Sequence, residues 1–301
     1  MDFPTSLHID GLTDIGNSRL NNEDAWWAGQ LGGGHVFMEA GAEPLHPAAP
    51  GAPVLLLVSD GVGGANAGEV ASRMAINLIA DELSREPGAL QEPASAGETI
   101  RTALCNANAA IAAKAGEPGF EGMGATLSLL CFAGKGAACW GQAGDSRIYV
   151  CREGWLRQIS RDQSPVGRMR QRGEITEAEA RRHPLRNQID QSLGDPVATF
   201  QPEVGVEQLR PGDVYLVCSD GLSDGLWDHE IRRILTAVRR PAEVRPAVCQ
   251  LVAGAKQTSG RDNITAVVAL VEGPPSAGAP PGFAGLAAPT SPWLIPGRPT
   301  N

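Results

Sequence analysis

The most apolar stretch of the chain, Val54-Leu55-Leu56-Leu57-Val58, stops abruptly at Ser59-Asp60-Gly61-Val62-Gly63-Gly64. A short unbroken apolar run of this kind predicts a strand buried on both faces. Asp60 is expected where that strand leaves the core. Gly61, Gly63 and Gly64 then let the backbone turn and approach a ligand closely. The device recurs: the run 214–218 ends in Ser219-Asp220-Gly221-Leu222-Ser223-Asp224.

Positions 67–85 repeat at helical spacing instead. Val70, Met74 and Leu78 form one row, and Ala71, Ala75, Ile79 and Leu83 the next, which makes a broad apolar stripe. A second helix is expected over 98–114, with Gly116 as its stop. Strands are expected over 6–14 and from 25, then over 125–132, 137–142, 146–151 and 155–159. These last four read as an antiparallel meander, with turns at Gly134-Lys135-Gly136 and Arg152-Glu153-Gly154. The pattern breaks over 161–190, which is polar and rich in arginine (Arg168, Arg170, Arg172, Arg181, Arg182, Arg186), with two short helical pieces around Gly173. It reads as a surface flap whose arginines are solvated charge. Strands over 200–206 and 214–218, helices over 228–239 and 242–258 and a strand over 264–271 complete the pattern. The Gly-, Ala- and Pro-rich 32–52 is an expanded loop, and 272–301 is a disordered tail in which Trp293-Leu294-Ile295 has no evident partner. Runs of strands with pairs of helices between them favour sheet on sheet with helices outside, over a doubly wound parallel sheet.

Composition narrows the function. With 301 residues, 42% hydrophobic and 20% charged, the chain can bury a sizeable core. A net charge of −9 argues against nucleic-acid binding and suits a protein that binds cations. Six cysteines (Cys105, Cys131, Cys139, Cys151, Cys218, Cys249) contain no C-x-x-C pair and read as buried small hydrophobes in a reducing compartment. The first residues, Met-Asp-Phe-Pro-Thr-Ser, lack the basic and apolar regions of a secretion signal, and no apolar run approaches a membrane span. A cytoplasmic location without membrane insertion is expected.

Acids recur at strand ends: Asp60, Asp220, Asp262 before the last strand, Asp145 in Gly144-Asp145-Ser146-Arg147, and Glu23 and Asp24 in Asn21-Asn22-Glu23-Asp24. Asp60, Asp220 and Asp262 are hard oxygen donors with no His or Cys among them, a chemistry that suits Mg²⁺ or Mn²⁺ rather than zinc. Several carboxylates at one site repel unless cations neutralise them, so two metals are more natural than one. Two ions about 4 Å apart bridge a water and present it for in-line attack on phosphorus. Arg19, four residues before Glu23, supplies a guanidinium fork for the phosphate. Singly, each acid is more often a cap, a turn residue or a surface charge than a ligand.

In this order the motifs resemble those of the bacterial PP2C (PPM) metal-dependent serine/threonine protein phosphatases. They are Arg19-Leu-Asn-Asn-Glu23-Asp24-Ala25, Asp60-Gly-Val-Gly-Gly64, Gly124-Ala-Thr126, Gly144-Asp-Ser-Arg147 with Tyr149, Ser219-Asp-Gly-Leu-Ser-Asp224 and Asp262-Asn-Ile-Thr265. The resemblance covers roughly residues 6–271. It implies one α+β domain over 1–271, a four-layer α-β-β-α sandwich of two antiparallel sheets face to face with paired helices outside, and a flap at about 161–190. It further implies that Asp60 bridges two metal ions with the Gly61 carbonyl beside it. Asp220 and Asp262 hold the first ion, and Glu23, supported by Asp24, holds the second. Asp145 with Asp220 or Asp224 forms a weaker third site, and Arg19 binds the substrate phosphate. The implied substrate is a phosphoprotein, a Ser/Thr kinase or its target, and the implied state is a monomer.

The chain departs from the family pattern at Val62, at Asp162-Gln163-Ser164, and over Asn187-Gln-Ile-Asp190-Gln191-Ser-Leu-Gly194. None of these is a metal ligand. They bear on substrate recognition by the flap and on any histidine general acid. Two rival readings are a catalytically silent binding module on the same fold and a hydrolase of small phosphoesters. The complete acid set and Arg19 speak against the first. A C-x₅-R spacing at Cys151–Arg157 lacks the glycine-rich loop and helix N-terminus of a cysteine phosphatase.

Overall fold

A computed structural model of the chain describes residues 6–31, 52–63, 67–133 and 136–272. The expanded loop and the C-terminal tail expected from the sequence fall outside these residues except at their edges, as does Gly64.

The described strands form two sheets in which every pairing is antiparallel. One has the order β1 (Ser6–Asp14), β11 (Ile264–Glu272), β10 (Val214–Cys218), β7 (Arg147–Arg152) and β8 (Trp155–Gln158). The other runs β2 (Asp24–Gln30), β3 (Val54–Val62), β5 (Leu127–Ala133), β6 (Ala137–Ala143) and β9 (Glu203–Gln208), with the two-residue β4 (Gly124–Ala125) on the end of β3.

Three apolar clusters correspond to the three interfaces of a four-layer sandwich. Along β3 the side chains alternate between two of them. Leu55 and Leu57 pack under helices α1 (Ala67–Arg85) and α2 (Pro93–Ala115), while Val54, Leu56 and Val58 meet Tyr215, Val217, Val267 and Ala269 of the facing sheet. Both faces are buried, so the strand reads as an unbroken apolar run. Each of these leucines is fully buried, worth about 1.5–3 kcal/mol by transfer. The third cluster lies between the first sheet and helices α6 (Asp228–Thr236) and α7 (Val244–Thr258).

Four expectations are corrected. The meander is split: β5 and β6 lie in one sheet, β7 and β8 in the other, and β6 takes β9 as its second neighbour. The strand containing Asp60 does not end there but continues to Val62, because Gly61 and Val62 pair with Ala125 and Gly124. Helix α2 starts five residues earlier than expected, at Pro93, since proline at the first helical position has its ring angle preset and needs no donor. A short helix, α5 (Asp220–Gly225), begins within the second Ser-Asp-Gly where none was expected. Within 161–190 the two helical pieces are α3 (Pro165–Gln171) and α4 (Glu177–Ala180).

The registers bring the chemistry to one end of the sandwich. Asp24 opposes Asp60 across β2 and β3. In the other sheet, Cys218 opposes both Ala266 and Arg147, so Asp220, Asp262 and Asp145 emerge side by side.

Candidate metal centre

Asp60 is fixed by its backbone. Its amide donates to Thr126 Oγ1 at 3.0 Å and its carbonyl accepts from the Thr126 amide at 2.8 Å. Thr126 is in turn held by the Ser146 hydroxyl at 2.7 Å, and its carbonyl accepts from Ser59 Oγ at 2.6 Å. Gly61 donates to the Glu23 carbonyl at 3.1 Å. A Cβ on Gly61 would overlap the Gly68 carbonyl at the start of α1, and one on Gly68 would come 2.8 Å from Glu23 Oε1. The two glycines therefore let a helix start and a strand close around the Glu23 carboxylate.

The loop carrying Arg19 and Glu23 is anchored by Asn263, which is buried. Its Nδ2 donates to the carbonyls of Ile15 and Asn21, both at 3.0 Å, and its Oδ1 accepts from the Glu23 amide at 2.8 Å. Arg19 donates to Asp262 Oδ2 at 2.8 Å, while Asp262 Oδ1 accepts from the Asn263 amide at 2.9 Å. The Asp145 turn is tied to 161–190: the Gly144 amide donates to Gln163 Oε1 and the Gly144 carbonyl accepts from the Gln163 amide, each at 2.9 Å.

An open cleft of ≈ 1070 Å³ collects Arg19, Glu23, Asp60, Gly61, Asp145, Asp220, Asp224 and Asp262. Of the residues expected at the site, only Asp24 does not line it. Its Oδ2 accepts from Thr265 Oγ1 at 2.6 Å and Ser219 Oγ at 2.7 Å, so it braces one sheet against the other behind Asp60. Sequence reasoning missed Gly68 as part of the site and treated Thr126, Ser219 and Asn263 only as motif letters. Polar residues lost inside the core were the available signal: Ser59, Thr126, Ser219, Asn263 and Thr265 are all buried. Two of the six flap arginines are corrected: Arg170 pairs with Asp228 and Arg181 with Glu177, and their side chains are only 19% and 17% exposed, whereas Arg168, Arg172, Arg182 and Arg186 are exposed as expected. Arg147 grips Asp162 with a fork at 2.7–3.0 Å.

The electrostatics ask for positive charge. Burial, then the charges of Asp24, Asp220, Asp262 and Asp145, push the Asp60 carboxyl well above the ordinary range. Burial, then Asp145, Asp224, Asp262 and Asp24, does the same to Asp220. Burial carries Asp145 to about 7, with Asp162 adding to the rise, and Asp24 to about 6 against the two hydroxyls that oppose it. Glu23 is also raised, by burial first. Asp24 Oδ1 and Asp220 Oδ1 are buried with no hydrogen-bond partner. Buried, mutually repelling oxygens of this kind are stable as carboxylates only beside a cation. Among the described residues no three acid, His or Cys side chains already close on one point at ligand distance. The donors are instead arranged around the cleft. Their number, chemistry and unpartnered oxygens fit hard divalent cations.

Fold and site together define a class: an antiparallel four-layer α-β-β-α sandwich with an oxygen-donor centre at one end of its sheets. The protein phosphatase 2C family model matches residues 45–267. Serine/threonine protein phosphatase PstP of Mycobacterium tuberculosis is 37% identical over 270 residues, covering 88% of this chain and 45% of that protein. The chain thus spans less than half the length of that relative. Serine/threonine phosphatase stp of Listeria welshimeri is 32% identical over 267 residues, covering 88% of this chain and 96% of that protein. The crystal structure of the PstP catalytic domain in complex with two manganese ions superposes with a TM-score of 0.70 at 34% identity, covering 89% of this chain and 99% of that one. The chain belongs to the protein phosphatase 2C family.

Proposed function

We propose that this chain is a Mn²⁺- or Mg²⁺-dependent protein phosphatase that hydrolyses phosphoserine and phosphothreonine. The observation that carries the reading is the ring of Glu23, Asp60, Asp145, Asp220 and Asp262 in one cleft with Arg19 at its edge. Asp60, Asp220, Asp262 and Glu23, with the Gly61 carbonyl, would hold two ions, and Asp145 with Asp220 or Asp224 a weaker third. Cations at these acids supply Lewis acidity, which lowers the pKa of water and polarises the phosphoryl group.

The chain's own residues do the rest. Thr126 holds the Asp60 backbone so that its carboxylate faces the cleft. The Arg19 guanidinium, at the rim and partnered by Asp262, presents a planar fork that matches phosphate oxygens. Among the described residues lining the cleft there is neither a cysteine nor a histidine. That favours direct attack of water on phosphorus: the bond from phosphorus to the Ser or Thr oxygen breaks, and that oxygen takes its proton from water. An open cleft suits a protein segment better than a small ester. The counterpart is a Ser/Thr kinase or its target, and the enzyme acts as a monomer in the cytoplasm. No described helix is long and apolar enough to cross a membrane.

The test is hydrolysis of p-nitrophenyl phosphate and a phosphothreonine peptide with Mn²⁺, with Mg²⁺ and with EDTA, beside Asp220→Asn. Metal-dependent turnover lost in the variant is expected. Folded, Mn²⁺-loaded wild type without turnover would put a silent binding module in its place.

A further inference from the structure

The 161–190 segment is fastened to the acids it covers. Its helix α4 is one turn long and starts with a reciprocal cap: Thr176 Oγ1 accepts from the Glu179 amide at 3.3 Å, and Glu179 Oε2 accepts from the Thr176 amide at 2.7 Å. The next residue after α4, Arg181, reaches the C-terminal end of α5. Its Nη1 donates to the Asp224 carbonyl at 2.7 Å. Its Nη2 lies 2.6 Å from the carbonyls of Ser223 and Leu226 and 2.9 Å from Glu177 Oε1. The guanidinium carbon sits 4.2 Å from the centroid of the Trp227 ring.

Helix α5 has six residues, too few to be stable alone, and its last carbonyls have no partner within it. Arg181 supplies donors and positive charge at the negative end of that helix, with its cation over an aromatic face. The same helix carries Asp220 in its first turn and Asp224 near its last. A second tie runs alongside: Glu177 Oε1 also accepts from the Asp228 amide at 3.2 Å, and Arg170 of α3 pairs with the Asp228 carboxylate.

We infer that Arg181 is a positioning residue through which the 161–190 segment and the α5 carboxylates fix one another. Its guanidinium donors are engaged by the carbonyls of Ser223, Asp224 and Leu226 and by Glu177, so it acts through the backbone of α5. The coupling is reciprocal: whatever orders Asp220 and Asp224 also orders 161–190. Lysine is a poor replacement, because one ammonium cannot span three carbonyls in a plane and stack on Trp227. The inference rests on the proposed role of the acids as cation ligands.

Hydrogen–deuterium exchange and Mn²⁺ titration calorimetry on the full chain test it, with wild type, Arg181→Gln and Arg181→Lys. In Arg181→Gln, exchange is expected to rise together over 161–190 and 220–226 by roughly tenfold, with β3 and β10 unchanged. The Mn²⁺ Kd is expected to weaken at least about tenfold, as when an outer-sphere support of a metal ligand is lost. Arg181→Lys falls between the two. If only 161–190 loosens, with 220–226 and the Mn²⁺ Kd as in wild type, Arg181 is a surface tether and the inference is overturned. Should Arg181→Gln not fold, Glu177→Gln, which removes the carboxylate orienting the guanidinium, is judged by the same readouts. A wild type that takes up no Mn²⁺ would defeat the functional reading, and the metal-free exchange would still decide this one.

Discussion

Ser59-Asp60-Gly61 and Ser219-Asp220-Gly221 are the same three residues after the same kind of buried strand, and the chain treats them differently. After the first, β3 runs on and is pinned by β4. After the second, β10 ends at Cys218 and Asp220 opens the six-residue α5. The residues beyond each motif decide its path. Leu222 and Leu226 are buried in the cluster under α6 and α7, which draws the chain into a helical turn. Val62 is 46% exposed and stays extended.

The shared features are contacts. Each serine is buried and ties the two halves of its sheet end: Ser59 Oγ donates to the Thr126 carbonyl, Ser219 Oγ to Asp24. Each glycine lies against a carbonyl, Gly61 against Gly68 and Gly221 against Asn263. Asp60 thus stands on a strand paired along both edges, whereas Asp220 stands on a short helix whose last carbonyls are held by the Arg181 and Thr258 side chains.

The largest effect expected is on turnover. Asp60→Asn and Asp220→Asn should each lower kcat by about 10²–10³-fold at saturating Mn²⁺, in the range seen when one preorganised electrostatic partner is removed from a reacting site. The comparison is sharpened by Mn²⁺ stoichiometry from calorimetry. Asp60, central to the acid ring, should cost both strong sites, and Asp220 one. Equal losses would mean that the two aspartates share one role.

Next come the glycines. Gly61→Ala and Gly221→Ala each place a methyl group on a carbonyl oxygen, and overpacking of that kind costs about 1–3 kcal/mol. Chemical denaturation should show the larger loss for Gly61→Ala, whose strand is held by β2 and β4 and cannot shift. The shorter α5 can move to relieve the clash. A larger loss at Gly221 would reverse this order of rigidity.

Most of the fold was legible because hydrophobic period and element type agree. β1, β10 and α1 have the bounds expected from their patterns alone, and β10 and α1 are each bounded by polar residues on both sides. The strand continuation to Val62 was not legible, because it depends on Gly124 and Ala125, which are far away in sequence. Nor was the division of the meander, because hairpin signals say which strands are adjacent in sequence and not which sheet they join. At the site, the acids could be read one by one, and the cleft gathers all but Asp24. The place of Asp24 behind the cleft could not be read from its letter. Its hydroxyl partners, Ser219 and Thr265, come from the other sheet. Arg170 and Arg181 looked like solvated charge because Asp228 and the carbonyls at the end of α5, which hold them, lie outside the flap.

A smaller effect is expected from the supports of the two motifs. Thr126→Val removes the hydroxyl on the Asp60 amide, and Ser219→Ala removes the one on Asp24. Losing such a partner of a metal ligand costs about 10–100-fold in affinity. Mn²⁺ binding should fall further for Thr126→Val, because Ser219 acts one residue removed, through Asp24. A larger fall for Ser219→Ala would return Asp24 to the ligand set.

The smallest effect is on the stability of the metal-free chain, and its sign is informative. Asp145 titrates at about 7 in the fold against an ordinary 3.8. Between those values the folded chain binds more protons than the unfolded one, so stability falls as pH rises through the window and is recovered below about 4. With EDTA, Tm should drop from about pH 5 to about pH 8 by a few degrees, about 2–4 °C for each kcal/mol lost in a chain of this size. Asp145→Asn should flatten the slope and raise the metal-free Tm at the alkaline end, while weakening Mn²⁺ binding. Saturating Mn²⁺ should reverse the slope in the wild type, because the ion binds the ionised form. An unchanged slope in Asp145→Asn would place the titrating charge on the Asp60 and Asp220 pair instead, and the two Ser-Asp-Gly segments would then share the repulsion between them.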